Sequence, residues 1–146
     1  MFVTLFNDIA NDPATPEQPG MTDAQLVSFT RKWNGSVPQV YIEFLKRFGS
    51  GGEFIFARMI DVSEKYQLLA DEYGNHQSVK TKKVLPFGDD WSGNLYCFNL
   101  EKIFNGDCPI VLIDHELEDD SELEYVADSF EKFFYKIQEE MNLHRK

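Results

Sequence analysis

The sequence predicts an α+β domain, a single unit with one largely antiparallel sheet and helices packed on one face. Three observations point to it. Apolar residues recur at helical spacing through the first half and again at the C-terminus, and the period becomes that of strands from residue 84 to residue 113. The connections at 86–93 and 101–108 are too short for parallel crossovers. A chain of 146 residues can bury about 68–70% of its unfolded surface, enough for an ordinary core without disulfide or metal staples. No internal repeat, low-complexity tract or second boundary divides it. Residues 1–146 therefore read as one domain, with an N-terminal helix and proline-bearing connector at 1–20 and the core at 21–146.

Residues 2–10 suit a short helix that packs Phe2, Leu5, Phe6 and Ile9. Pro13, Pro16, Pro19 and Gly20 forbid a regular element and predict an extended connector. Thr22 and Gln25 form a capping box ahead of Leu26, Phe29 and Trp33, and Asn34-Gly35 stops that helix. Pro38 suits the first turn of the next, whose face is Val40, Tyr41, Phe44, Leu45 and Phe48, and the glycine-rich run 49–52 ends it. The stretch 53–60 has the aromatic and branched content of a strand, or of two joined by a tight turn. Ser63 caps a helix carrying Tyr66, Leu69, Ala70 and Tyr73, which Gly74 ends, and the polar, basic residues 74–83 read as an exposed loop. Val84-Leu85 leads into a turn at Gly88-Asp89-Asp90. Strands follow at 94–100 and 109–113, separated by Asn105-Gly106-Asp107. Asp128 with Glu131 caps a last helix whose face is Phe130, Phe133, Phe134, Ile137 and Met141.

The charge excludes several functions. There are 25 acidic residues against 14 basic ones, a formal charge of −11. Binding of nucleic acid rests on Lys and Arg displacing counterions from phosphates, so no nucleic-acid ligand is expected. An anionic membrane surface is disfavoured for the same reason, and no apolar run approaches membrane-spanning length. No Lys or Arg precedes Arg31, and Asn7 and Asp8 interrupt the apolar start, which predicts neither a secretory signal nor a transit peptide and hence a cytoplasmic protein. Cys97 and Cys108 lie in apolar surroundings, where reduced, buried thiols are the usual occupants.

Catalytic constellations are scarce. The glycine cluster 49–52 lacks the Gly-Lys-Ser/Thr ending of a phosphate loop and follows a helix where such a loop must precede one. His76, His115 and His144 share no metal-ligand spacing, and the two cysteines have no second pair. The stretch 88–94 offers oxygen ligands for a hard cation without the alternating spacing of a calcium loop, and reads more simply as a tight turn with Trp91 half-buried. Asp114-His115-Glu116 suits a base or metal ligand, or a solvated turn after a strand. Neither a nucleophile elbow nor paired histidines occur, so no enzyme and no cofactor are expected. The acids are concentrated: nine of them and no Lys or Arg lie between Asp114 and Glu131. Such a run is either a solvated loop or a docking surface for a basic protein.

Three stretches together resemble the SMI1/KNR4 superfamily, also called SUKH. The first is Val37-Pro38 with Tyr41, Phe44, Leu45 and the Gly51-Gly52 pair. The second is the segment 85–100, with its Pro-Phe-Gly turn, Gly-Asp and Tyr-containing strand. The third is the segment 111–116 followed by Val126-Ala127-Asp128-Ser129-Phe130 and Phe133-Phe134. The resemblance spans roughly residues 20–143, with Asn94 and Asn99 where the family favours Asp, and Gly49-Ser50 where it has Asn. It implies an α+β fold, no enzymatic activity and a role in binding proteins. Bacterial members resemble immunity proteins that neutralise polymorphic toxins, frequently nucleases, and fungal relatives regulate cell-wall synthesis. The single-domain architecture is nearer the bacterial type.

The expectation is an immunity protein that binds a basic toxin domain stoichiometrically. Its surface would be drawn from Asp89, Asp90, Trp91 and Asn94 in the central turn and from Asp114, His115, Glu116, Asp119 and Asp120. The carboxylates would pair with Lys and Arg of the partner, and Trp91 would serve as the aromatic anchor. Two other readings stand beside it: a scaffold or regulator of an endogenous protein such as a cell-wall synthesis factor, and a metal- or small-ligand-binding domain using Asp89, Asp90, Asp114 and His115.

Overall fold

The computed structural model describes residues 2–62, 79, 82–114 and 123–145. Among them, helices α1 (Val3–Asn11), α2 (Asp23–Lys32) and α3 (Gln39–Phe48) precede strands β1 (Arg58–Met59), β2 (Val84–Asp89), β3 (Leu95–Asn99), β4 (Ile110–Ile113) and β5 (Glu124–Ala127), and helix α4 (Phe130–Arg145) follows. The capping box at α2 forms as its residues require. Thr22 Oγ1 accepts the Gln25 N–H at 3.2 Å, and Gln25 Oε1 accepts the Thr22 N–H at 2.9 Å. Pro38, with φ −59°, leads into α3, which buries Val40, Tyr41, Phe44, Leu45 and Phe48 as its spacing predicts.

The proline-bearing connector is more than a spacer. It runs along the end of α3 and takes up backbone groups that a helix terminus leaves without intrahelical partners. Gln18 Nε2 donates to the carbonyls of Phe48 (2.9 Å) and Gly51 (3.1 Å), and the Met21 N–H donates to the Leu45 carbonyl (2.9 Å). The approach is close enough that a Cβ on Gly20 would lie 1.8 Å from the Lys46 carbonyl oxygen.

The five strands form one antiparallel sheet in the order β1-β2-β3-β4-β5, a simple meander. Leu85 pairs with Phe98, Phe98 with Ile110, and Leu95 with Ile113; a bulge interrupts β2 between Pro86 and Gly88. Phe87, Tyr96 and Phe98 face the helices: ring centroids lie 5.0 Å apart for Tyr41–Phe98, 5.7 Å for Phe87–Phe130 and 4.8 Å for Tyr96–Phe133. The α+β class and antiparallel sheet are therefore as expected. Pleat alternation puts Leu95, Cys97, Val111 and Ile113 on the opposite face, and these are buried too. Both cysteines are free, and burial pushes their thiols up, away from the reactive thiolate.

Several local expectations are corrected. Of the stretch 53–60, only Arg58–Met59 is a strand of the sheet, while the tight turn allowed for within it is present: residues 54–57, closed by the Phe54 N–H on the Ala57 carbonyl at 3.0 Å, with Glu53 and Arg58 bridged across it. Gly88 and Asp89, read as a turn, are strand residues paired with Met59 and Arg58. Glycine there lets the neighbouring strand close in, since a Cβ would sit 3.0 Å from the Arg58 carbonyl oxygen. The acidic run contains β5, an edge strand whose Glu124 and Tyr125 are exposed and whose Ala127 is buried. Asp128 does not cap α4. It accepts the Tyr125 hydroxyl, while Ser129 Oγ accepts the Lys132 N–H at 3.1 Å and Asp107, from the β3–β4 hairpin, accepts the Phe130 N–H at 2.8 Å. Val79, read within an exposed loop, is buried at 7% exposure. The helix expected at 63–73 lies outside the described residues, as does most of 74–83.

Candidate functional site

The link between β2 and β3 is organised by two consecutive aspartates. Asp90 Oδ1 accepts the N–H groups of Ser92 (2.9 Å) and Asn94 (3.2 Å), and its Oδ2 accepts Asn94 Nδ2 (2.9 Å). The Asp90 N–H donates to the Asn94 carbonyl at 3.2 Å, closing the loop. Such carboxylate-to-backbone bonds are how Asp stabilises turns locally. Asp89 Oδ2 accepts Arg58 Nε at 2.9 Å, tying the hairpin to β1, and its Oδ1 accepts the Trp91 N–H at 2.8 Å. Every oxygen of both carboxylates is thus engaged, three within the hairpin and Asp89 Oδ2 on Arg58 of β1.

Trp91 is held in an unfavourable backbone state. Its φ is +65°, in the left-handed region that costs an L-residue about 1–2 kcal/mol and that bulky side chains rarely enter. The residue is 48% exposed, and its indole Nε1–H donates to Glu53 Oε1 at 3.3 Å. The Asp89 carboxylate holds the backbone and the Glu53 carboxylate meets the ring edge, so the tip presents a half-exposed aromatic held at two points.

The register gathers further predicted residues here. Because Leu95 pairs with Ile113, Asp114 emerges from β4 beside Asn94 at the start of β3. Leu112 pairs with Glu124, so β5 begins at the same end of the sheet. His115, Glu116, Asp119 and Asp120 lie outside the described residues. The field at this end is negative: burial, then the charges of Asp90, Glu140 and Glu124, push the Tyr96 phenol up to about 12.

Glu53 and Arg58 belong to the site and were missed by the sequence reading. They bracket the 54–57 turn as bridge partners, and that stretch was read for its apolar content alone. Opposite charges flanking a short apolar run are the signal that could have found them. A second exposed aromatic was also missed. Phe104, 77% exposed, stands on the β3–β4 hairpin, whose Asn105-Gly106 turn has φ +52° and +77°. It lies at the opposite end of the sheet from Trp91.

Among the described residues, no group of three or more His, Cys, Asp or Glu is arranged to hold a metal ion, and no helix is long and apolar enough to cross a membrane. The arrangement is suited to contact: an anchored indole, a carboxylate beside it and a negative surround. Compared with known families, the chain matches the model of the SMI1 / KNR4 family (SUKH-1) over residues 20–136, from the connector glycine through the first half of α4.

Proposed function

The chain belongs to the SMI1/KNR4 (SUKH-1) family, and from that premise we propose that it is a non-enzymatic immunity protein that binds and neutralises a basic toxin domain in the cytoplasm. The observation that carries this reading is Trp91. Glycine or asparagine would satisfy a left-handed turn position at lower cost, yet the position holds a half-exposed indole pinned by two carboxylates. Strain kept at an exposed position argues that the side chain itself is used. Tryptophan is also the residue class most enriched among binding hot spots.

The formal charge of −11 supports a basic partner and would steer its approach. A nuclease domain, whose cleft must attract phosphates, has that character. Asp89 and Asp90 act here by positioning Trp91, and Asn94 by closing the loop. Asp114, His115, Glu116, Asp119 and Asp120 would supply charge around them.

The test is co-expression with the product of the neighbouring reading frame, which the proposal expects to carry the toxin domain. The native chain should restore growth and elute with the toxin as a 1:1 complex. Trp91→Gly should fold with unchanged or slightly raised stability, yet bind at least about 30-fold more weakly, the loss of a ~2 kcal/mol hot spot. Absence of both rescue and complex, or a Trp91→Gly chain that binds like the native one, would overturn the proposal.

A further inference from the structure

We propose that Trp91 and Glu53 together form a receptor for one arginine side chain of the partner; this rests on the reading of the β2–β3 tip as the binding surface. Glu53 Oε1 accepts the indole N–H at 3.3 Å, so an exposed carboxylate stands at the edge of an exposed ring. Among the described residues Glu53 meets no cation. Arg58, its partner across the 53–58 bridge, directs its guanidinium to Asp89 at 2.9 Å. The pair therefore offers an aromatic face and an unneutralised carboxylate side by side.

That combination matches a guanidinium better than any other cation of a protein surface. The guanidinium is planar, so it can stack on the indole face while its edge N–H groups reach a carboxylate in a paired geometry. An ammonium is a point charge with a tightly held hydration shell and cannot present both a flat face and a fork. A neutral apolar side chain could cover the ring but would leave the Glu53 charge desolvated with no cation opposite it. The surroundings favour a cation as well. Asp90 and Glu124, both acting on Tyr96, lie at the same end, and Arg58 is offset by Asp89. The receptor is preformed, since the Asp89 bond to the Trp91 N–H (2.8 Å) and the 54–57 turn hold its two halves from separate segments.

The test uses the full ¹⁵N-labelled chain, whose two tryptophans, Trp91 and the buried Trp33, give distinct indole N–H signals. The probes are the N-acetyl methylamides of arginine, lysine and citrulline, the last a neutral isostere of arginine. The Trp91 signal should move saturably with the arginine probe, at least about three-fold more weakly with lysine, and not with citrulline, while Trp33 stays still. Glu53→Gln keeps an acceptor for the indole N–H and should weaken the arginine response at least about five-fold, with the hairpin amide signals in place. Equal shifts from arginine and citrulline, or a Glu53→Gln response within two-fold of native, would overturn the arginine receptor. A failed probe titration alongside a toxin complex that Trp91→Gly still weakens rejects this inference alone. Failure of both rejects the tip as the binding surface.

Discussion

Phe130→Ala is expected to destabilise the chain by about 3–5 kcal/mol and lower its melting temperature by roughly 10 °C. Phe130 is fully buried, and its ring lies 5.5 Å from Phe56, 5.7 Å each from Phe44, Phe87 and Phe98, and 6.2 Å from Phe133. Those rings come from α3, the 54–57 turn, β2, β3 and α4 itself, so the side chain fills the space where all the layers meet. Removing it forfeits apolar burial and leaves a void that rigid aromatic neighbours cannot close. The effect should reach the site, because Phe56 sits in the turn that carries Glu53 and Arg58. Chemical denaturation measures the loss; a value below about 1 kcal/mol would show that the aromatic cluster repacks without Phe130.

Asp107→Ala should cost about 2–4 kcal/mol, more than an ordinary helix cap. Asp107 is buried on the β3–β4 hairpin, accepts the N–H groups of Phe130 (2.8 Å), Glu131 (3.4 Å) and Cys108 (2.7 Å), and so joins that hairpin to the start of α4. Alanine strands the Phe130 and Cys108 donors away from water. Asp107→Asn keeps one acceptor and should lose less. The pH dependence has a definite sign. Burial, opposed by the bonds from Phe130, Cys108 and Glu131, holds the Asp107 carboxyl above its ordinary range. A folded pKa above the unfolded one means that this group's contribution is full below the unfolded pKa and is lost as pH rises through the folded value. The deficit of Asp107→Asn relative to the native chain should therefore narrow from acid toward neutral pH in paired urea titrations. A deficit that widens over that range would show that the three N–H donors outweigh burial.

These two residues also mark where local pattern ends and tertiary structure begins. The spacing of Phe130, Phe133 and Phe134 identifies the inner face of α4, and the Thr22–Gln25 box and the Asn105-Gly106 turn can be read residue by residue, because each rests on neighbours in sequence. The capping of α4 by Asp107 cannot, since the donor and acceptor are 23 residues apart. The edge strand β5 escapes for a related reason: its first residues, Glu124 and Tyr125, are exposed on both faces, which erases the apolar alternation of a strand. Gly88-Asp89 has the composition of a turn and becomes strand only because β1 comes alongside. In the site, sequence singles out Asp89, Asp90, Trp91 and Asn94 as a cluster but reads the carboxylates as groups aimed at a partner. Their bonds to Arg58, Trp91, Ser92 and Asn94 make them the frame of the tip. Glu53, the carboxylate left to face outward, comes from a segment that only the fold brings there.

The most direct test is amide hydrogen exchange on the chain alone and in the proposed 1:1 complex with the product of the neighbouring reading frame. Slowed exchange should concentrate in 53–59 and 89–95, the two segments that build the Trp91 tip, with the 100–107 hairpin around Phe104 and the outer face of α2 unchanged. Protection confined to the Phe104 hairpin or to α2, with 89–95 exchanging as in the free chain, would contradict it.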